Sequence, residues 1–178
     1  MLEKEAIRDL EAEASGDSMY ELLFKIRDEA RNRIKQGRYV IKGKQVPFRM
    51  ERQGYIRTYL HPRLTKDAVL NIMMSFIHEI RGHSGRHTHQ GGTCLFIPQG
   101  KGHTTVDGVP HDWEAGDLIL LPMKPGGVSH QHFNDNPDGP SRFLCMSPWM
   151  LKELAGRTTE QNEVLTDWAE KQEGREHA

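Results

Sequence analysis

Apolar positions near the start of the chain recur at helical spacing. Met19, Leu22, Leu23, Ile26, Ala30 and Ile34 lie three or four residues apart with charged residues between them, which predicts an amphipathic helix. Ser18 to Glu21 has the Ser-x-x-Glu form of a capping box and sets the helix start at Ser18. A shorter helical piece is predicted before it, at about Glu3 to Ala14. After Gly37 the pattern changes to short β-branched or aromatic runs at Arg38–Ile41, Val46–Met50 and Tyr55–Leu60, punctuated by Gly43, Pro47, Gly54 and Pro62. Between Val69 and Ile80 the residues Leu70, Ile72, Met74, Phe76 and Ile80 fall on one side of an extended chain. Further strands are predicted near Cys94–Pro98, His103–Val106, Leu118–Leu121 and Phe143–Met146, with Asp107-Gly108 as a tight hairpin. Beyond Pro148 the runs Trp149–Ala155 and Glu160–Gln172 return to helix. Many short strands at regular spacing predict an all-β sandwich or barrel over residues 39–148, flanked by helical segments at 1–38 and 149–178.

Charge and composition narrow the function. Lys plus Arg is 24 and Asp plus Glu is 25, so the chain has no basic footprint for nucleic acid and no polybasic surface for a membrane. The N-terminus is too charged for a signal peptide, and no apolar run approaches membrane-spanning length. Cys94 and Cys145 lie far apart without CxxC spacing, which argues for reduced thiols. The expectation is a single-domain cytoplasmic protein acting on a small molecule.

The candidate chemistry is concentrated. Eight of the ten histidines fall between His78 and His132, and ten of the seventeen glycines between Gly82 and Gly127. On a strand, His87 and His89 project from one face with Thr88 on the other. Inside a barrel two adjacent imidazoles are costly unless paired, and they repel if both are protonated. A divalent cation removes both costs by binding the neutral rings. Gly91-Gly92 then lets the chain turn tightly, bringing the next strand back beside the site. The same arrangement recurs at His130-Gln131-His132, so those two histidines also share a face.

These residues resemble the two motifs of the cupin superfamily. The first motif reads here as Gly82, His87-Thr88-His89, Thr93 and Gly100, with one residue fewer in the leading gap. The second reads as Gly116, Pro125-x-Gly127-x-x-His130 and Asn134, with three extra residues after Gly116. The resemblance covers about the central third of the chain and implies a cupin jelly-roll barrel with His87, His89 and His130 as metal ligands. The glutamate that usually supplies a fourth ligand is replaced by Thr93. Gentisate and salicylate 1,2-dioxygenases similarly lack that glutamate and hold Fe(II) with three histidines, and their second motif also carries His-x-His. They usually have two cupin domains, whereas this chain has one.

The resemblance implies Fe(II), with Mn, Ni, Zn or Cu as alternatives, and a dioxygenase reaction in which a small hydroxylated aromatic acid or dicarbonyl compound is cleaved with O₂. His132 is the candidate acid or base beside the metal. A non-oxidative metal-dependent isomerase, lyase or decarboxylase, and a non-enzymatic binding protein, are the competing expectations. Arg57, Arg81 and Arg86 are read chiefly as solvated charges, His78 as a satisfied core histidine, and His103 and His111 as surface residues. Trp113, Met73, Met74 and Met123 are assigned to core or pocket wall, and exposed strand edges predict a homodimer.

Overall fold

The computed structural model describes residue 16, residues 18–154 and residues 159–176, the last two without their side chains. The helix predicted at Glu3 to Ala14 lies outside the described residues. Helix α1 spans Met19–Gln36, and the Ser18 hydroxyl accepts from the Glu21 backbone N–H as the capping box requires. With Arg38, Tyr39 and Asp67–Val69 it belongs to one compact unit, stabilised by the Arg38–Asp67 ion pair. The strand expected at Arg38–Ile41 reduces to a single bridge between Arg38 and Ala68.

The second unit holds the barrel. Its strands are β1 (Arg49–Glu51), β2 (Gly54–Leu60), β3 (Met73–Ile80), β4 (His87–His89), β5 (Thr93–Gln99), β6 (Lys101–Val106), β7 (Val109–Glu114), β8 (Leu118–Leu121), β9 (Val128–Asn134) and β10 (Ser141–Pro148). After β10 come α2 (Trp149–Leu154), β11 (Glu160–Gln161) and α3 (Thr166–Glu176). One sheet runs β1-β2-β3-β10-β5-β8 and the other β11-β4-β9-β6-β7, with neighbouring strands among the described residues antiparallel. The fold is the predicted jelly roll: all-β, two sheets enclosing one interior.

Period-2 alternation decides what fills that interior. On β10, Ser141, Phe143, Cys145 and Ser147 are buried, while the residues between them are more exposed. Ile80, Leu95, Ile97, Trp113, Leu121, Val128, Phe143 and Cys145 form the apolar cluster. Strand β3 starts at Met73, four residues later than the pattern suggested, and Leu70 and Ile72 are exposed.

Two glycines allow the chain to pass from β4 to β5. A Cβ on Gly91 would sit 1.8 Å from the Pro122 carbonyl oxygen. Gly92 has φ +70°, a conformation that side-chain-bearing residues rarely adopt.

The C-terminal prediction needs correction. Glu160–Gln172 is not one helix. Glu160 and Gln161 pair with Thr88 and His87 on the edge of β4, and the helix begins only at Thr166. The edge backbone of β4 presents groups that need partners, and this outweighs helical propensity. Leu165, buried between the two elements, and the Thr88 hydroxyl bond to Asn162 Oδ1 fix the segment in place.

Candidate metal centre

Strands β4 and β9 lie side by side with His87 opposite His130 and His89 opposite Val128. Cross-strand neighbours on one face approach closely, so this register brings three imidazoles together. The ring centroids of His87 and His130 are 4.2 Å apart, those of His89 and His130 4.7 Å, and those of His87 and His89 5.2 Å. One ring nitrogen from each lies within 4.8 Å of the other two, and all three residues are buried. His132, two positions beyond His130, is packed 5.2 Å from it but lies outside this trio.

The protons on these rings follow from their partners. Nδ1 of His87 faces the Gly85 carbonyl at 3.4 Å, that of His89 the Gln90 carbonyl at 2.7 Å, and that of His130 the Val128 carbonyl at 3.5 Å. A carbonyl oxygen only accepts, so in each ring the proton sits on Nδ1 and the Nε2 lone pair is free. Burial holds all three neutral. It lowers the pKa of His87 to about 4, the Lys152 charge also lowering it and the Gly85 carbonyl opposing. His89 falls to about 3 through burial and then the charge of Lys152. His130 is pushed well below its ordinary value by burial and by the neighbouring histidines. Three neutral, oriented nitrogen donors fit a borderline divalent cation.

His132 has the opposite tautomer. The Trp113 indole N–H, which can only donate, donates to Thr104 Oγ1 at 2.9 Å. Thr104 is fully buried, and its single hydroxyl proton has His132 Nδ1 as its remaining partner, at 2.8 Å. Thr104 therefore donates to Nδ1, and the proton of neutral His132 lies on Nε2. Burial, followed by the charges of His78, His87 and His89, lowers its pKa well below the usual value. A ring held this way offers an N–H where the trio offers lone pairs.

His87, His89 and His132 line a cavity of about 430 Å³, together with apolar Ile56, Met74, Phe76, Leu95 and Phe143. That volume suits a small-molecule site. Thr93 also lines it, but its hydroxyl is paired with Ser147 Oγ at 2.9 Å.

His78 corrects an expectation. It is buried as predicted, yet it lines the cavity and its Nε2 has no hydrogen-bond partner, so it is not a satisfied core residue. Burial and then the His87 charge lower its pKa to about 3. Its ring fits because position 54 is glycine: a Cβ there would lie 2.1 Å from Nε2.

The three candidate arginines are engaged elsewhere. Arg81 pairs with Glu79, Arg86 with Glu163, and Arg57 lies over Phe48. His111 is exposed, and His103 pairs with Asp135 while stacking on Phe133. Trp113 is core, whereas Met123 is exposed. Sequence reasoning missed Arg52, Gln53, Lys152 and Gln161, all of which line the cavity. Only the turn before Gly54 and the apolar helix around Lys152 hinted at them, and neither pattern points to chemistry.

A jelly roll that gathers three buried imidazoles, two of them lining a cavity, has the form of a β-barrel whose histidines could hold a metal ion. The family comparison agrees: residues 76–147 match the family model described as "Cupin domain". Among solved structures, the chain is similar to salicylate 1,2-dioxygenase from Pseudoaminobacter salicylatoxidans in its adducts with gentisate. The identity is 15% and the TM-score 0.52, covering 78% of this chain and 36% of that one. A Cupin 2 conserved barrel domain protein from Salinispora arenicola matches at 16% identity and TM-score 0.51, over 67% of this chain and 97% of its own. An uncharacterized conserved protein with a double-stranded β-helix domain from Klebsiella pneumoniae matches at 17% identity and TM-score 0.50, over 71% and 98%. At these identities the likeness is one of fold. No curated protein matches the sequence.

Proposed function

We propose that this protein is an Fe(II)-dependent dioxygenase that cleaves a small hydroxylated aromatic acid or dicarbonyl compound. One observation carries the reading: three buried neutral imidazoles converge with no carboxylate among them, since the position open to one is a threonine already bonded to Ser147. When bound, the ion would supply Lewis acidity and redox chemistry with its full double charge and several open positions. His87, His89 and His130 would hold it through Nε2. Phe76, Phe143, Met74 and Leu95 supply an apolar wall that excludes water and packs against a planar substrate. The His132 Nε2–H can donate a hydrogen bond to a substrate oxygen and stabilise negative charge developing there.

The His132 N–H, able to stabilise an enolate-like oxygen, also supports a second reading, non-oxidative metal-dependent isomerase, lyase or decarboxylase chemistry. Anaerobic reconstitution with Fe(II), followed by O₂ uptake on a panel of hydroxylated aromatic acids and diketones, separates the two. Substrate-dependent O₂ consumption with Fe(II) is the expected result. Turnover that ignores O₂ and prefers Mn, Ni, Zn or Cu overturns the dioxygenase reading in favour of the second.

A further inference from the structure

Lys152 lies on α2 and is only 2% exposed, yet among the described residues no hydrogen bond or ion pair reaches it. It shares the cavity wall with His87 and His89, and its charge acts on both rings. Among the described residues that line the cavity, the one carboxylate, Glu51, is exposed and makes no ion pair with it. Removing an unpaired ammonium from water costs several kcal/mol. Among the described residues no group offsets that cost, which leaves the balancing charge to a ligand in the cavity.

The enclosure has a charge deficit to match. Three neutral imidazoles cancel none of the double charge of a divalent ion, and Lys152 adds a third positive charge. A ligand that balances this brings more than one negative oxygen: one for the ion and one for the ammonium. Arg52, which lies over the Trp168 ring at the cavity edge, adds to the same bias.

We propose that Lys152 is the carboxylate-binding residue of the cavity, and that the substrate is a small carboxylic acid with a second ionisable oxygen, a phenol or an enol. The assignment of the second oxygen rests on the metal reading above; the contact between Lys152 and the carboxylate does not.

The test uses 2-hydroxybenzoate and 2-hydroxybenzamide, alike in shape and different in charge. Their dissociation constants are measured by calorimetry on metal-free and Zn(II)-loaded protein, for wild type, Lys152→Met and Lys152→Arg. Wild type is expected to prefer the acid by about 10- to 100-fold, the range for a hydrogen bond to a charged group. Lys152→Met should cut that preference to about threefold or less, and Lys152→Arg should keep part of it. Because the ammonium is unpartnered, the ligand-free Lys152→Met protein should also melt higher than wild type. The acid should raise the melting temperature of wild type by more than that of Lys152→Met.

An unchanged preference in Lys152→Met, or no binding of either probe by wild type, overturns the proposal. Metal content measured on the same samples keeps the two readings apart. A Lys152-dependent preference in protein that retains no metal would sustain the anion site and sink the metal centre. A full metal complement with a preference indifferent to Lys152 would do the reverse.

Discussion

The two walls of the cavity solve opposite problems. On the β4–β9 wall every Nδ1 has a partner, so each ring is locked in one tautomer before any ligand arrives. On the α2 wall a single buried cation, Lys152, meets no partner among the described residues. The first wall is finished by the protein and pre-organised for a positive ion. The second is left unfinished, and only an anion completes it. Functional sites commonly carry such local costs, which the rest of the fold offsets.

The largest effects should come from the finished wall. His87→Ala or His130→Ala should abolish metal retention, measured by elemental analysis after reconstitution. His132→Ala should retain the ion but lose activity, because its free nitrogen carries a proton instead of a lone pair. Equal metal loss in all three variants would place His132 in the ligand set and break the contrast in tautomers.

A pH series should test both walls, with the same sign in two separate windows. The folded pKa values of His78, His87 and His89 are about 3, about 4 and about 3, below the ordinary 6.5. The unfolded chain therefore binds more protons in that window, and stability falls as pH drops from about 6.5 towards 4. Each such histidine adds a slope approaching about 1.4 kcal/mol per pH unit, so metal-free protein should unfold cooperatively in mild acid. Lys152 is also lowered, chiefly by burial, so its cost is relieved as pH rises towards the ordinary lysine value of 10.5. Denaturant melts across pH would show stability rising in both windows. A flat profile between pH 6.5 and 4 would mean that the histidines are not held neutral by burial.

The sequence exposed one wall far better than the other. His87-x-His89 and His130-x-His132 are legible because strand alternation is strict: residues two apart must share a face. The capping box at Ser18 is equally local, and the structure holds it. Lys152 is invisible by the same logic. It lies in a short, otherwise ordinary helix, and its burial depends on where β10 delivers α2, a fact of tertiary structure. His78 was seen as an inward position, but its lack of a partner depends on Gly54, twenty-four residues earlier, standing where a side chain would displace the ring. Glu160–Gln161 became a strand only because β4 had an open edge to fill.

A subtler variant probes what fixes His132. Thr104→Val keeps the shape but removes the hydroxyl, leaving His132 Nδ1 and the Trp113 N–H without their buried partner. Loss of stability should be about 1–3 kcal/mol, the usual cost of an unsatisfied buried group. Nitrogen-15 spectra of the ring should shift from an Nε2–H tautomer towards a mixture, with metal content unchanged. A wild-type spectrum already showing Nδ1–H would mean that Thr104 accepts both bonds.

The smallest expected effect distinguishes a hydroxyl from a ligand. Ser147→Ala removes the partner of Thr93 Oγ1 within the buried wall. Losing one neutral hydrogen bond costs about 0.5–1.5 kcal/mol, and urea melts should fall by that amount. Metal affinity should stay the same, because a neutral hydroxyl is a poor donor to a divalent ion beside three imidazoles. If affinity instead rises in Ser147→Ala, Thr93 has been freed to bind the ion. The metal would then be held by four groups, the number of open positions would fall, and the demand for an anionic ligand would rest on Lys152 alone.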